Sequence, residues 1–155
     1  MIIAIFANSF RSEIVHEVKH IIDFLLARGI GIVLSHELHQ EPFGREYACV
    51  DEYTSQTSNQ IDFALSIGGD GTFLTTASLV GHLDIPILGI NCGHLGFLSE
   101  VRTENAESIL NELINQHYTI EQRTMLEVSC HANDKILSPY ALNEVAVLKQ
   151  GLSSM

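Results

Sequence analysis

Basic residues are scarce in this chain. Eight Lys and Arg stand against nineteen Asp and Glu, a formal net charge of −11 at pH 7. A polypeptide of that sign repels nucleic acid and anionic membranes, and it repels nucleotide phosphates as well. A nucleotide site here would have to rely on backbone N–H groups and a divalent cation to offset the charge. The acidic residues are scattered, so most are read as solvated surface. Cysteine is sparse too: Cys49, Cys92 and Cys130 have no C-x-x-C spacing. That argues against a disulfide framework and for a reducing compartment, with all three thiols structural. Long apolar runs are missing. The longest, Met1 to Ala7, is too short to cross a bilayer and has no charged region before it, as a signal peptide would. There is no internal repeat and no low-complexity tract.

What is present is enough for a core. At 155 residues and 46% hydrophobic, the chain is expected to form one domain, or one domain and the start of another. Eight His raise the question of a metal, notably His16 with His20 and His36 with His39. Spacing alone is weak support, and no metal-ligand set is assigned.

Ile2 to Ala7 has the continuous apolar character of a strand buried on both faces. Ile14, Val18, Ile21, Ile22, Leu25 and Leu26 then recur at helical spacing, and Gly29 follows as a C-terminal cap. Ile30 to Ser35 is a second strand, so the chain opens β-α-β, which predicts a parallel sheet. His36 to Gln60 is polar and poorly periodic. It is expected to hold the least order, with room for a short helix. Ile61–Ile67 and Pro86–Ile90 are further strands, separated by a helix ending near Gly81. Thr103 is the expected N-cap of a helix whose apolar face is Ala106, Ile109, Leu110, Leu113 and Ile114.

From Tyr118 the pattern changes to strands, Thr124–His131 and Tyr140–Leu148, around a turn at Asn133-Asp134. The expected organisation is an α/β Rossmann-like domain, an open and mostly parallel sheet with flanking helices, over residues 1–121. Residues 122–155 would begin a β-rich second domain. Two or three strands without a closing sheet leave open edges, so the chain reads as incomplete at its C-terminus.

The densest chemical signal is Gly68-Gly69-Asp70-Gly71-Thr72, placed between a strand and a helix start. Glycines allow unusual backbone angles and close approach of a ligand, and N–H groups at such a turn suit phosphate oxygens. A pure phosphate cradle has no use for a carboxylate. Asp70 makes sense if it holds a metal ion or takes a proton from an attacking hydroxyl. The plain alternative is a surface turn.

A second glycine-rich segment, Gly89-Ile90-Asn91-Cys92-Gly93-His94-Leu95-Gly96-Phe97-Leu98, also follows a strand. It is expected to line the same crevice while Leu95, Phe97 and Leu98 tuck into the core. Third, Asn143 and Glu144 lie side by side in an apolar strand. Strand alternation would send one of them to solvent. Together, an amide and a carboxylate suit ribose hydroxyls.

These three segments, in this order and with the β-α-β start, resemble the NAD kinases across essentially all 155 residues. The first motif alone is shared with diacylglycerol and sphingosine kinases and, more loosely, phosphofructokinases. The resemblance implies transfer of the ATP γ-phosphate to the 2′-hydroxyl of the NAD adenosine ribose, with Mg²⁺ carrying nucleotide charge. It implies that Asp70 activates or orients that hydroxyl. Gly68, Gly69, Gly71 and Thr72 would lie along the phosphates, Phe73 near the adenosine end, and Asn143 and Glu144 on the ribose. It also implies a cytoplasmic protein with small-molecule nucleotide partners, no nucleic acid or membrane partner, and a homo-oligomer, dimer or tetramer, in the complete protein. Members of the family continue into a full β-rich domain with another glycine-rich segment, whereas this chain stops at Met155. A lipid kinase domain and a non-catalytic nucleotide-binding or assembly module are the competing readings.

Overall fold

The computed structural model describes residues 1–8, 12–47, 49–93, 96–99, 101–129 and 139–146. Its centre is β1 (Ile2–Ala7), whose four middle residues are fully enclosed. Around it stand β2 (Gly31–Leu34), β3 (Asp51–Glu52), β4 (Phe63–Gly68), β5 (Ile87–Asn91) and β6 (Val101–Arg102). The six strands form one parallel sheet in the order β3-β2-β1-β4-β5-β6. The chain builds outward from β1 on one side, then returns to build outward on the other. The order therefore reverses between β1 and β4, where a parallel sheet opens a crevice beyond its carboxyl ends.

Strand alternation sorts the side chains to two faces. Ile3 and Ile5 of β1 join Leu65, Ile67 and Ile90 in one buried cluster with helices α1 (Ser12–Leu26) and α4 (Ala106–Ile114). Ala4, Phe6 and Ala64 go to the other face, under Val80 of α3 (Asp70–Val80). Helix α1 buries Ile14, Val18, Ile21, Ile22 and Leu25, as the helical spacing predicts. It ends at Gly29, whose φ of 72° allows Gly29 N to donate to Leu26 O (3.0 Å) and Ile30 N to Leu25 O (3.2 Å). That pair of bonds is a Schellman cap.

Some expectations are corrected. The polar stretch 36–60, expected to hold the least order with room for a short helix, does carry that helix, α2 (His36–Gln40), and among its described residues also the edge strand β3 and two 3₁₀ turns. Thr57 holds it together, its hydroxyl donating to Glu52 O (3.1 Å) and accepting from Thr54 N (2.8 Å). Thr103 does not cap α4. It opens a 3₁₀ turn, and the N-cap position falls on Asn105, which makes no side-chain cap bond. Among the described residues of the strands expected at 124–131 and 140–148, only β7 (Leu126–Glu127) and β8 (Tyr140–Ala141) are strand, an antiparallel pair. Residues 142–146 are not strand. The turn at Asn133-Asp134, and Cys130 with it, lies outside the described residues. This β pair leans on the outer side of α3 and its C-terminal turn, with Tyr140 stacked on His82 at 4.8 Å and Met125 against Gly81.

Candidate functional site

The glycine turn sits at the carboxyl end of β4, on the crevice where strand order reverses. Gly68 takes a φ of 154°, and a Cβ there would strike the Thr72 side chain. Gly69 is the N-cap residue of α3 and Asp70 its first residue. Gly69 and Gly71 differ from Gly68: a Cβ at either would meet nothing within 4 Å. Packing among the described residues does not require these two glycines. They leave clear the space in front of the first turn of α3, where helix N–H groups have no intrahelical acceptor.

Asp70 does not project freely into that space. Phe97 N donates to Oδ2 (2.9 Å), and Leu98 N (3.0 Å) and Ser99 N (3.3 Å) donate to Oδ1. The amides of Phe97 and Leu98 hold the carboxyl below its ordinary range against an opposing desolvation, with Ser99 adding to them. Hydrogen bonds to the charged form stabilise that form. Gly96 makes the arrangement possible, because any Cβ there would overlap the Asp70 carboxylate.

Asn91, at the end of β5 and only 3% exposed, ties the base of the same segment. Its Oδ1 accepts from Gly93 N (2.8 Å), and its Nδ2 donates to Ser99 O (3.4 Å). With the 97–99 amides turned inward, the Phe97 ring is left 91% exposed. The expectation that Phe97 tucks into the core is therefore corrected. Leu98 is half-buried, and Leu95 lies outside the described residues.

Phe73 is half-buried one turn along α3, its ring so close to β5 that a Cβ on Gly89 would stand 2.9 Å from Cδ2. The open ring beside Asp70 is that of Phe97. Thr72 is half-buried against Gly68. Asn143 and Glu144 are exposed, beyond the end of β8 and not within a strand. With Leu74, Thr75, Ser78 and Tyr140 they line a groove of about 390 Å³ along α3. The structure thus gathers every expected site residue around one helix: Gly68 to Phe73 at its start, and Asn143 and Glu144 along its flank.

Sequence reading missed the bond between the two glycine segments and the part played by Asn91. The signal was a lone Asn inside an otherwise apolar and glycine-rich stretch.

Among the described residues, no group of three or more His, Cys, Asp or Glu could hold a metal ion. His20 instead pairs with Glu107 (2.8 Å), and His36 with Glu52. The thiol of Cys92 is pushed up to about 11, chiefly by burial and secondarily by Glu17. Among the described residues, no helix is long and apolar enough to cross a membrane.

A doubly wound parallel sheet with a glycine turn at its switch point places this chain among the Rossmann-like α/β proteins. Residues 3–118 match the model of the ATP-NAD kinase N-terminal domain, and the chain belongs to the NAD kinase family. It is 38% identical to the NAD kinase of Bacteroides fragilis over 98% of its own length and 53% of that protein. It is 40% identical to the NAD kinase of Methanothermobacter thermautotrophicus over all of its length and 52% of that protein. The chain thus spans about half the length of these curated relatives. The crystal structure of yeast NADH kinase complexed with NADH shares the fold, with a TM-score of 0.74 over 91% of this chain and 46% of that one at 19% identity.

Proposed function

We propose that this chain supplies the phosphoryl-transfer half of an NAD kinase, which moves the ATP γ-phosphate to the 2′-hydroxyl of the NAD adenosine ribose. The observation that carries the reading is the Asp70 carboxylate at the mouth of the crevice, held by three backbone amides beside two glycines whose open side no described part of the chain fills. Phosphoryl transfer passes through a loose transition state, so it needs positioning and charge more than a strong base. A carboxylate kept ionised suits that task. It accepts the hydroxyl's hydrogen bond, points the oxygen at phosphorus, and takes the proton late.

Gly68, Gly69, Gly71 and Thr72 would run along the phosphates, with the first N–H groups of α3 facing them. Asn143 and Glu144 offer the ribose an amide and a carboxylate from the groove beside α3. Phe73 contributes by packing against β5, and the exposed Phe97 ring is the surface on which a base can stack. Among the described residues no group of three or more metal-ligating side chains gathers at this turn, so a Mg²⁺ ion would be held chiefly by the nucleotide phosphates. When bound, that ion supplies charge neutralisation at the phosphates.

Residues 122–155 are read as the opening of a second, β-rich unit. The same reading carries a cytoplasmic setting, nucleotide partners rather than nucleic acid or membrane, and self-assembly of the longer protein.

The test is NADP formation from NAD, ATP and Mg²⁺, set beside calorimetric titration of the chain with NAD. Asp70→Asn is expected to lower turnover by roughly 10²–10⁴-fold while changing NAD affinity far less. Unchanged turnover in that variant would remove Asp70 from the chemistry. A folded chain that binds neither NAD nor ATP would count against the site as drawn.

A further inference from the structure

The Asp70 carboxylate has about four lone-pair positions to offer. Oδ1 accepts from two amides, those of Leu98 and Ser99, and Oδ2 from one, that of Phe97. One acceptor position therefore remains, on Oδ2. The three donors come from a turn that begins at Gly96, where no side chain fits, and they lie 27 to 29 residues from Asp70 in sequence. Something must hold that turn to the sheet. Asn91 binds Gly93 N through Oδ1 and Ser99 O through Nδ2, so one buried side chain grips both ends of the segment. It reads Ser99 at the carbonyl while Asp70 reads the same residue at the amide.

We propose that Asn91 is the positioning residue of this site: by tying Gly93 N and Ser99 O to one side chain it aims the amides of Phe97, Leu98 and Ser99 at Asp70 and leaves Oδ2 one open position for the reacting hydroxyl. The role of that open position rests on the kinase reading above, whereas the aiming of the amides does not. Asn91 touches no reacting atom. It acts through the backbone of Ser99 and its neighbours, and through them on the charge and direction of Asp70. What lowers the Asp70 carboxyl is the amide of Phe97, then that of Leu98, and, after an opposing desolvation, that of Ser99; none of these causes is a charged side chain. Releasing the segment therefore has a readout that a purely structural residue lacks.

The experiment is carbon-detected titration of the Asp70 carboxyl by NMR, with amide hydrogen exchange at Phe97, Leu98 and Ser99, in the 155-residue chain. It compares the wild type with Asn91→Ala, Asn91→Ser and Gly96→Ala. In the wild type Asp70 should titrate below the ordinary carboxylate range, with the amide of the exposed Phe97 protected. In Asn91→Ala the carboxyl should rise toward the ordinary range. The three amides should exchange about tenfold faster or more while Leu65 and Ile5 stay protected. Gly96→Ala should do the same by pushing the carboxylate out of its seat.

If Asn91→Ala loses the protection of Leu65, Asn91→Ser serves as the comparison, since it keeps the acceptor for Gly93. An Asp70 that shifts in Gly96→Ala but not in either Asn91 variant overturns the proposal. NAD titration of the same proteins separates the two readings. Loss of the Asp70 shift with no NAD binding even in wild type leaves the positioning role standing and removes the kinase reading. Wild-type NAD binding, with NADP formation that falls in step with the Asp70 shift across the variants, supports both.

Discussion

The two faces of the central sheet are built from different residues by the same strands. Toward α1 and α4 the strands present Ile3, Ile5, Leu65, Ile67 and Ile90, all buried in one aliphatic cluster. Toward α3, β1 presents Ala4 and Phe6, while β4 presents Ala64, Ser66 and Gly68 and β5 presents Ile87 and Gly89. Large side chains hold α1 and α4 at a distance and supply most of the burial that stabilises the domain. Small ones let α3 settle close to β4 and β5. Its first residue, Asp70, then reaches the amides of 97–99, and Phe73 lies over Gly89. One face carries the stability, and the other trades packing volume for the position of a carboxylate.

Substitutions on the two faces should separate these roles. The largest loss of stability is expected at Leu65, which is wholly buried. Leu65→Ala should cost about 2–5 kcal/mol by denaturant unfolding, with the Asp70 carboxyl still titrating as in the wild type. Gly89→Ala should cost less, about 1–3 kcal/mol for overpacking. The new Cβ would meet Phe73 Cδ2 at 2.9 Å and Ser99 Cα and Oγ at 3.0 Å. By moving Ser99 it should lower NADP formation out of proportion to the stability lost. Equal effects of the two variants on Asp70 would erase the distinction between the faces.

The smallest effect belongs to neither face. At the sheet edge the His36 imidazole is raised above its ordinary 6.5, first by its hydrogen bond to Glu52 and then by the charge of that carboxylate. A raised histidine contributes stability that is full below the unfolded value and is lost as pH climbs through the folded one. Thermal unfolding from about pH 5 to 8 should show a shallow fall across that window in the wild type, absent from His36→Asn.

The aliphatic face was legible in the sequence because its signals are local and repetitive. Continuous apolar strands and the 3.6-residue spacing of α1 need no partner to be read. The edge strand β3 was not, because two residues carry no period. The β-rich reading of 118–148 overshot because alternation marks strands that could form, whereas the pairing found among the described residues joins only Leu126–Glu127 to Tyr140–Ala141. On the α3 face, Gly68 through Thr72 announced the turn, but nothing announced where Asp70 would point. Its partners are backbone amides, and a sequence names side chains rather than the directions of N–H groups. Phe97 was misplaced for the same reason: its apolar ring argued for the core, while its amide was drawn to a carboxylate.

The central strand pairs on one side with β2, which starts at Gly31, and on the other with β4, where Ile3 lies opposite Phe63 and Ala7 opposite Ile67. During synthesis at roughly 5–20 residues per second, β1 therefore waits with one edge uncovered for some seconds after β2 has been made. The Ile2–Ala7 stretch is thus a nascent-chain liability before it is the middle of a sheet, and the strand that relieves it is the same one that delivers the glycine turn.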